Sequence, residues 1–280
     1  MGQIRKAYAL VEVFAAIIVL GLLLAVLVPM ARRTRTGDGL SMSTQNVGTI
    51  MAATHMYQAD HAGGAPMRAC GYSNGQITGG WDTWNFGGKN CSAFWSTSRG
   101  GIFDEPAYAR PLNPYLYPAR LRRPVGYINS GPGSTWSLSH GHPTAADRAI
   151  VQIAVFHSPG DVSSRQRNWP TPDPSISGYD DIGTSYVQNM KWWDDPSLGG
   201  LSFTARYAEG SRRIGLALAG ANPNFVFVHD QTADAVSNGI QGMGEFGKQN
   251  YSVVGWADGR AGHIRIVPGA LQGPDYTFIP

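Results

Sequence analysis

From Ala7 to Ala31 the chain runs for 25 residues with one charge, Glu12, and is flanked by Arg5 and Lys6 on one side and Arg32, Arg33 and Arg35 on the other. An α-helix of about 20 residues crosses a hydrocarbon core of roughly 30 Å, so the run is long enough to span a membrane. A cleaved secretory signal has a shorter apolar stretch, of about 7 to 15 residues, ending at small residues of the A-x-A kind. This run is longer and ends in Val28-Pro29-Met30-Ala31 before the arginines. A core helix of a soluble protein is seldom apolar on every face for so long. The expectation is a single-pass membrane helix, with Pro29 kinking or ending it because proline removes a backbone donor.

An ionised carboxylate at membrane depth costs about 2.5–3.5 kcal/mol and usually has a partner. Cutting the chain between Ala7 and Tyr8 would supply one. Tyr8 would then carry a new α-amino group, one helical turn from Glu12. The same carboxylate can reach the amine of a neighbouring subunit instead, cancelling two buried charges and setting identical helices in register. A plain anchor, with Glu12 snorkelling toward the headgroups, is the simpler alternative.

Lys6-Ala7-Tyr8-Ala9-Leu10-Val11-Glu12-Val13, followed by a long apolar helix interrupted at Pro29, resembles the amino terminus of type IV pilins and of type II secretion pseudopilins. The resemblance implies a leader, residues 1–7, removed by a prepilin peptidase that then methylates the Tyr8 amine. It implies a transmembrane and assembly helix at 8–30, with Glu12 as the assembly residue and Pro29 as the kink. It also places the body outside the cytoplasm, which the charges flanking the run leave open, since positive residues stand on both sides. Ala7, Tyr8 and Ala9 depart from the glycine, phenylalanine and threonine usual there.

After Thr36-Gly37-Asp38-Gly39, the residues Leu40, Val47, Ile50, Met51, Thr54 and Tyr57 recur at spacings of three, four or seven, marking one apolar face of a helix that Gly63-Gly64 and Pro66 stop. An amphipathic continuation over 31–64 leaves 65–280 as a globular body, large enough for a sizeable core. The fold class expected is α+β: a long amino-terminal helix packed on an antiparallel sheet, with a loop-rich insertion over 68–150. Strands are expected at 150–157 (IVQIAVFH), 214–220 (IGLALAG), 224–230 (NFVFVHD), 251–259 (YSVVGWADG) and 261–267 (AGHIRIV). The last two form a hairpin around Asp258-Gly259-Arg260, because Asp-Gly accepts the positive φ of tight turns.

VFHSPGD (155–161), GTSYVQN (183–189), ARPLNPYLYP (109–118) and VVGWADGRAGHIRIV near the carboxyl end resemble stretches of the pilin-like proteins abundant in Planctomycetes and Verrucomicrobia. Ser158 stands where that group has cysteine, and Arg260 where it has histidine, which argues for a structural hairpin there. Cys70 and Cys91 are the only cysteines. A disulfide between them would contribute roughly 3 kcal/mol in an oxidising compartment, and two reduced buried thiols are the alternative. Further Cys or His ligands for a structural zinc are lacking.

The net charge of +3 is nearly balanced and its basic residues are dispersed, apart from Arg120-Leu121-Arg122-Arg123, so nothing calls for nucleic acid. No G-x-S-x-G, H-E-x-x-H, P-loop or Rossmann pattern appears, and no enzyme activity or cofactor is expected. Asp180, Asp181, Asp194 and Asp195 would hold a structural calcium only if several converged. His140 and His142 form a possible metal pair without a third ligand, and His55 and His61 read as polar-face residues. Trp81, Trp84, Phe86, Phe94 and Trp95 form either a sugar-binding platform or the filling of a small core.

The resemblance thus implies a subunit of a type II secretion pseudopilus or type IV pilus-like filament, in the bacterial inner membrane and then in a periplasmic or cell-surface filament. Its partners would be other pilin-like subunits, prepilin peptidase and the secretion or pilus machinery. The alternative is a stand-alone membrane-anchored binding protein, for polysaccharide.

Overall fold

Residues 36–60 form a helix, α1, in the computed structural model, which describes residues 17, 18, 20, 36–68, 72–73, 76–77, 82–117, 121, 142–242 and 244–280. Val47, Ile50, Met51 and Thr54 are fully buried, with Leu40 and Tyr57 packed at the edges of the same face, while Met42 and Met56 look outward. Thr54 sits on the apolar face at little cost because its hydroxyl donates to Ile50 O at 2.9 Å. At the end of α1, Ala62 and Gly63 enter the left-handed region at φ 51° and 80°, and Gly63 N returns to Gln58 O at 2.8 Å. No helix among the described residues is long and apolar enough to cross a membrane. The run from Ala7 to Ala31 lies outside them apart from Ile17, Ile18 and Leu20, which are helical and more than half exposed.

The fold is α+β. The short strands β1 (Tyr72–Ser73) and β2 (Gln76–Ile77) pair with each other. They precede the helices α2 (Asn113–Leu116), α3 (Ala145–Ile150) and α4 (Gly178–Ile182). Next come β3 (Tyr186–Gln188), α5 (Phe203–Leu216), β4 (Val226–Asp230), α6 (Gln231–Ser237), β5 (Tyr251–Trp256) and β6 (Ala261–Arg265). A last pair, β7 (Gln272–Gly273) and β8 (Tyr276–Thr277), closes the chain's carboxyl end. The main sheet is antiparallel, in the order β3-β4-β5-β6. The β5–β6 hairpin turns through Asp258-Gly259, with Gly259 at φ 90°.

The main sheet is covered on both faces. On one, α1 lies so close to β5 that a Cβ on Gly255 would stand 2.7 Å from both Val47 Cγ1 and Met51 Cγ, a separation only glycine permits. On the other, Val226, Val254 and Trp256 pack with Ala233 and Val236 of α6 and with Tyr276 and Phe278. Period-two alternation breaks at a bulge between Val226 and Val228, which lets Phe227 and Val228 both join the core on the α1 side.

Two of the expected strands are helical. Residues 150–157 hold the exposed end of α3 at Ile150 and a single 3-10 turn at Ala154–Phe156. Residues 214–220 belong to α5 and its continuation through Ala217–Ala221, which stops at Gly220, φ 98°. Ser202 caps α5 by accepting from Ala205 N at 3.3 Å, and Gly210 allows Trp192 against the helix. Short apolar runs do not distinguish buried helix from buried strand.

Part of the 68–150 segment packs around a third cluster of Trp84, Cys91, Trp95, Phe103, Ile182 and Val187. Its polar centre is Arg110, fully buried, whose five N–H groups are all used. Nε donates to Glu105 O at 3.4 Å, Nη1 to Trp84 O and Gly87 O at 3.1 and 2.8 Å, and Nη2 to Ile182 O and Cys91 Sγ at 3.0 Å each. Asn113 adds donations to Gly88 O and Ala107 O at 2.8 and 2.7 Å, so the Arg-Pro-Leu-Asn stretch ties loops together.

Candidate functional site

Ala7, Tyr8, Glu12, Pro29 and Cys70 lie outside the described residues, as do Trp81 and His140. Cys91 is a free, fully buried thiol within reach of Ile182 O at 3.4 Å, and burial pushes it up to about 12, so it stays protonated and unreactive. Trp84, Phe86 and Trp95 are buried, leaving Phe94 the exposed member, so the described aromatics fill a core and make no platform. His61 is exposed and stacks on Tyr57 with ring centroids 3.9 Å apart. His142 Nδ1 pairs with Asp104 Oδ2 at 2.9 Å.

The four loop aspartates do not converge. Asp180 pairs with Lys89 at 2.6 Å, Asp181 with Arg167 at 2.7 Å and Asp195 with Arg213 at 2.8 Å, while Asp194 is exposed. Among the described residues no group of three or more His, Cys, Asp or Glu is placed to hold a metal ion. A structural calcium at these aspartates therefore has no geometric support.

What the fold does bring together is a buried polar junction between α1 and the body. Ser43 Oγ, on the inward face of α1, lies 2.9 Å from Tyr186 OH and 3.3 Å from Ser158 Oγ. Asn46, one turn on, donates to His157 O at 3.0 Å. Ser158 Oγ donates to Glu245 at 2.5 Å, and Ser158 N donates to Ser185 Oγ at 2.9 Å. The VFHSPGD and GTSYVQN stretches thus meet beneath the helix. Asn189, closing the second stretch, donates to Val226 O and Phe278 O at 2.7 and 2.9 Å and locks β3 to the carboxyl end.

Three carboxyls surround this junction, and they are not equivalent. Asp161 accepts from Gly178 N and Tyr179 N at 2.9 and 2.8 Å, holding the start of α4. Asp230 accepts from Thr232 N and Val253 N at 2.9 Å each and from Ser252 Oγ at 2.6 Å, joining α6 to β5. Glu245 is half-buried as a residue, but its carboxyl is the part that reaches inward. Burial pushes it well above its ordinary value, and the charges of Asp230 and Asp161 push it further. A cavity of about 230 Å³ opens beside Asp161 and Glu245, with Arg165 and Gln231 in its wall. Ser158 has a carboxyl and a hydroxyl as neighbours and no imidazole in hydrogen-bond reach among the described residues, so it lacks the base of an activated nucleophile. The arrangement bolts a helix to a sheet.

A raised carboxyl makes a signed prediction. Between its unfolded value near 4.5 and its higher folded value, the native state binds more protons than the unfolded chain, so rising pH erodes stability. Glu245→Gln keeps an acceptor for Ser158 and removes the titration. Urea unfolding is expected to find the variant more stable than the parent at pH 7, with the gap closing below about pH 4.5. A parent more stable at pH 7 would mean an ionised, well-paired carboxylate.

Sequence reasoning did not single out Glu245 or Ser43, and marked Arg110 only as part of the Arg-Pro-Leu-Asn stretch. Glu245 sits in QGMGEFGKQN, where its one local mark is isolation among glycines, and Ser43 needed only to be seen on the same helical face as Val47 and Ile50. Compared with family models, curated proteins and solved structures, the chain matches none.

Proposed function

We propose that the chain is a prepilin-like subunit, cut before Tyr8 by a prepilin peptidase and assembled through its amino-terminal helix into a type II secretion pseudopilus or type IV pilus-like filament. It would begin as a single-pass protein of the bacterial inner membrane with its body outside the cytoplasm.

The observation that carries this reading is a division along the chain's amino-terminal part. Residues 36–60 bury one face on the sheet and are held there by Ser43 and Asn46. The apolar run before them carries exposed helical residues, Ile17, Ile18 and Leu20, whose burial requires lipid or another subunit. A helix apolar on all sides suits both, first in the bilayer and then in a filament core, where burial of about 25 cal/mol per Å² drives packing. The action is non-catalytic: Glu12 recruits the amine of an adjacent subunit and the body faces outward.

Intact mass and amino-terminal sequencing, with and without a co-expressed prepilin peptidase, test the first step. A chain beginning at Tyr8 only when the peptidase is present is the expected result. A chain beginning at Met1 in both cases would leave Glu12 without its partner and put the plain membrane anchor in its place.

A further inference from the structure

Away from α1, a cleft of about 370 Å³ is lined by Trp169, Trp193, Lys191, Asp194, Asp234 and Asn238, among others. Its volume falls within the range of small-ligand sites. The residues come from four places in the sequence: the loop before α4, a 3-10 turn at Lys191–Asp194, α6, and the residue just after α6.

Four features set the cleft apart from ordinary surface. Trp169 is 42 % exposed, a large indole left at the rim. Trp193 is held in place by the Arg206 guanidinium, 4.3 Å from its ring. Lys191 is 8 % exposed as a residue, and its ammonium, which keeps contact with solvent, makes no ion pair or hydrogen bond among the described residues. Asp234 is slightly more buried at 6 % exposure, and its ion-pair partner among the described residues is His229 Nε2 at 3.7 Å, beyond hydrogen-bond length.

The unfilled chemistry is therefore specific. The ligand must present a flat apolar face to an indole. It must also offer both acceptors for Lys191 and donors for Asp234 and Asp194, with further polar edges for the Asn238 amide. An anion would meet two carboxylates against one ammonium. A cationic ligand would suit the indoles and the aspartates but would meet Lys191 inside the cleft. A sugar ring carries an apolar C–H face and a rim of hydroxyls that donate and accept at once. We propose that this cleft binds a pyranose unit of a neutral glycan.

Full-length protein, in a detergent without a sugar headgroup, is titrated by calorimetry into the millimolar range with cellobiose, maltose and N,N′-diacetylchitobiose. Choline and sialyllactose serve as the cationic and anionic probes. At least one neutral disaccharide is expected to bind saturably, choline and sialyllactose not. Trp169→Ala should weaken that binding about tenfold, as expected for loss of an aromatic stacking contact, and Asn238→Ala should weaken it less. Both positions are exposed, so the unfolding midpoint should not move. Absence of saturable heat from all three disaccharides, undiminished binding by Trp169→Ala, or tighter binding of choline or sialyllactose would each overturn the proposal.

Discussion

Glu12→Ala is expected to leave the chain inserted in the membrane and processed before Tyr8, yet to reduce sedimentable filament to background. The reason is an imbalance of charge at depth. Under the proposed assembly, the Glu12 carboxylate and the Tyr8 amine of the parent would each carry a cost of about 2.5–3.5 kcal/mol in the bilayer core, and contact between subunits would remove it by pairing them. Without the carboxylate, every incoming subunit brings an amine that finds no partner. A loss of about 3 kcal/mol per contact is more than a hundredfold in each association constant. Because a filament repeats that contact, the effect compounds along its length. Glu12→Gln, which accepts a hydrogen bond but carries no charge, should lie between alanine and the parent. Pelleting of assembled material, scored against total membrane-bound protein, separates the outcomes. Filament at the parent level in Glu12→Ala would sink the pairing mechanism, and an absence of sedimentable material from parent and variant alike would favour an anchored protein that never assembles.

Arg110→Met is expected to be the most damaging single change in the body, lowering its unfolding free energy by at least about 3 kcal/mol or preventing folding. Methionine fills similar space but donates nothing, leaving Trp84, Gly87, Glu105 and Ile182 with buried carbonyls that lose a charged donor. Each such loss costs about 1 kcal/mol or more, against a total stability of about 5–15 kcal/mol. Arg110→Lys discriminates between charge and geometry. Its three donors on a flexible stem cannot reproduce five N–H groups in one plane, so lysine should recover only a minor part of the loss. Urea unfolding monitored by tryptophan fluorescence reads this directly, since Trp84 and Trp95 belong to the same cluster. A lysine variant within about 1 kcal/mol of the parent would mean that the positive charge, and not the fork of donors, holds the loops.

Comparison of particular elements shows where local pattern was enough. The inward face of α1 was legible from the spacing of Val47, Ile50, Met51 and Thr54, because helical periodicity is written in consecutive residues. The β5–β6 hairpin was legible for the same reason, through Asp258-Gly259 and the β-rich runs on either side. The helix α5 was misread as a strand because IGLALAG was taken alone. The wider window holds Ser202 as a cap, then Phe203, Tyr207, Gly210 and Ile214 on one helical face. Residues 150–157 misled similarly, being apolar without a period.

By itself, the sequence determined the elements whose geometry depends on neighbours in the chain: the α1 stripe, its Gly63 stop and the terminal hairpin. Only the tertiary structure decided which polar groups lose water and what replaces it. Ser43 meets Tyr186 across 143 positions, Lys89 meets Asp180 across 91, and Arg110 meets Ile182 across 72. The raised carboxyl of Glu245 and the five donors of Arg110 are consequences of such long-range approach. Desolvation depends on what surrounds a group in space, and no local periodicity encodes that.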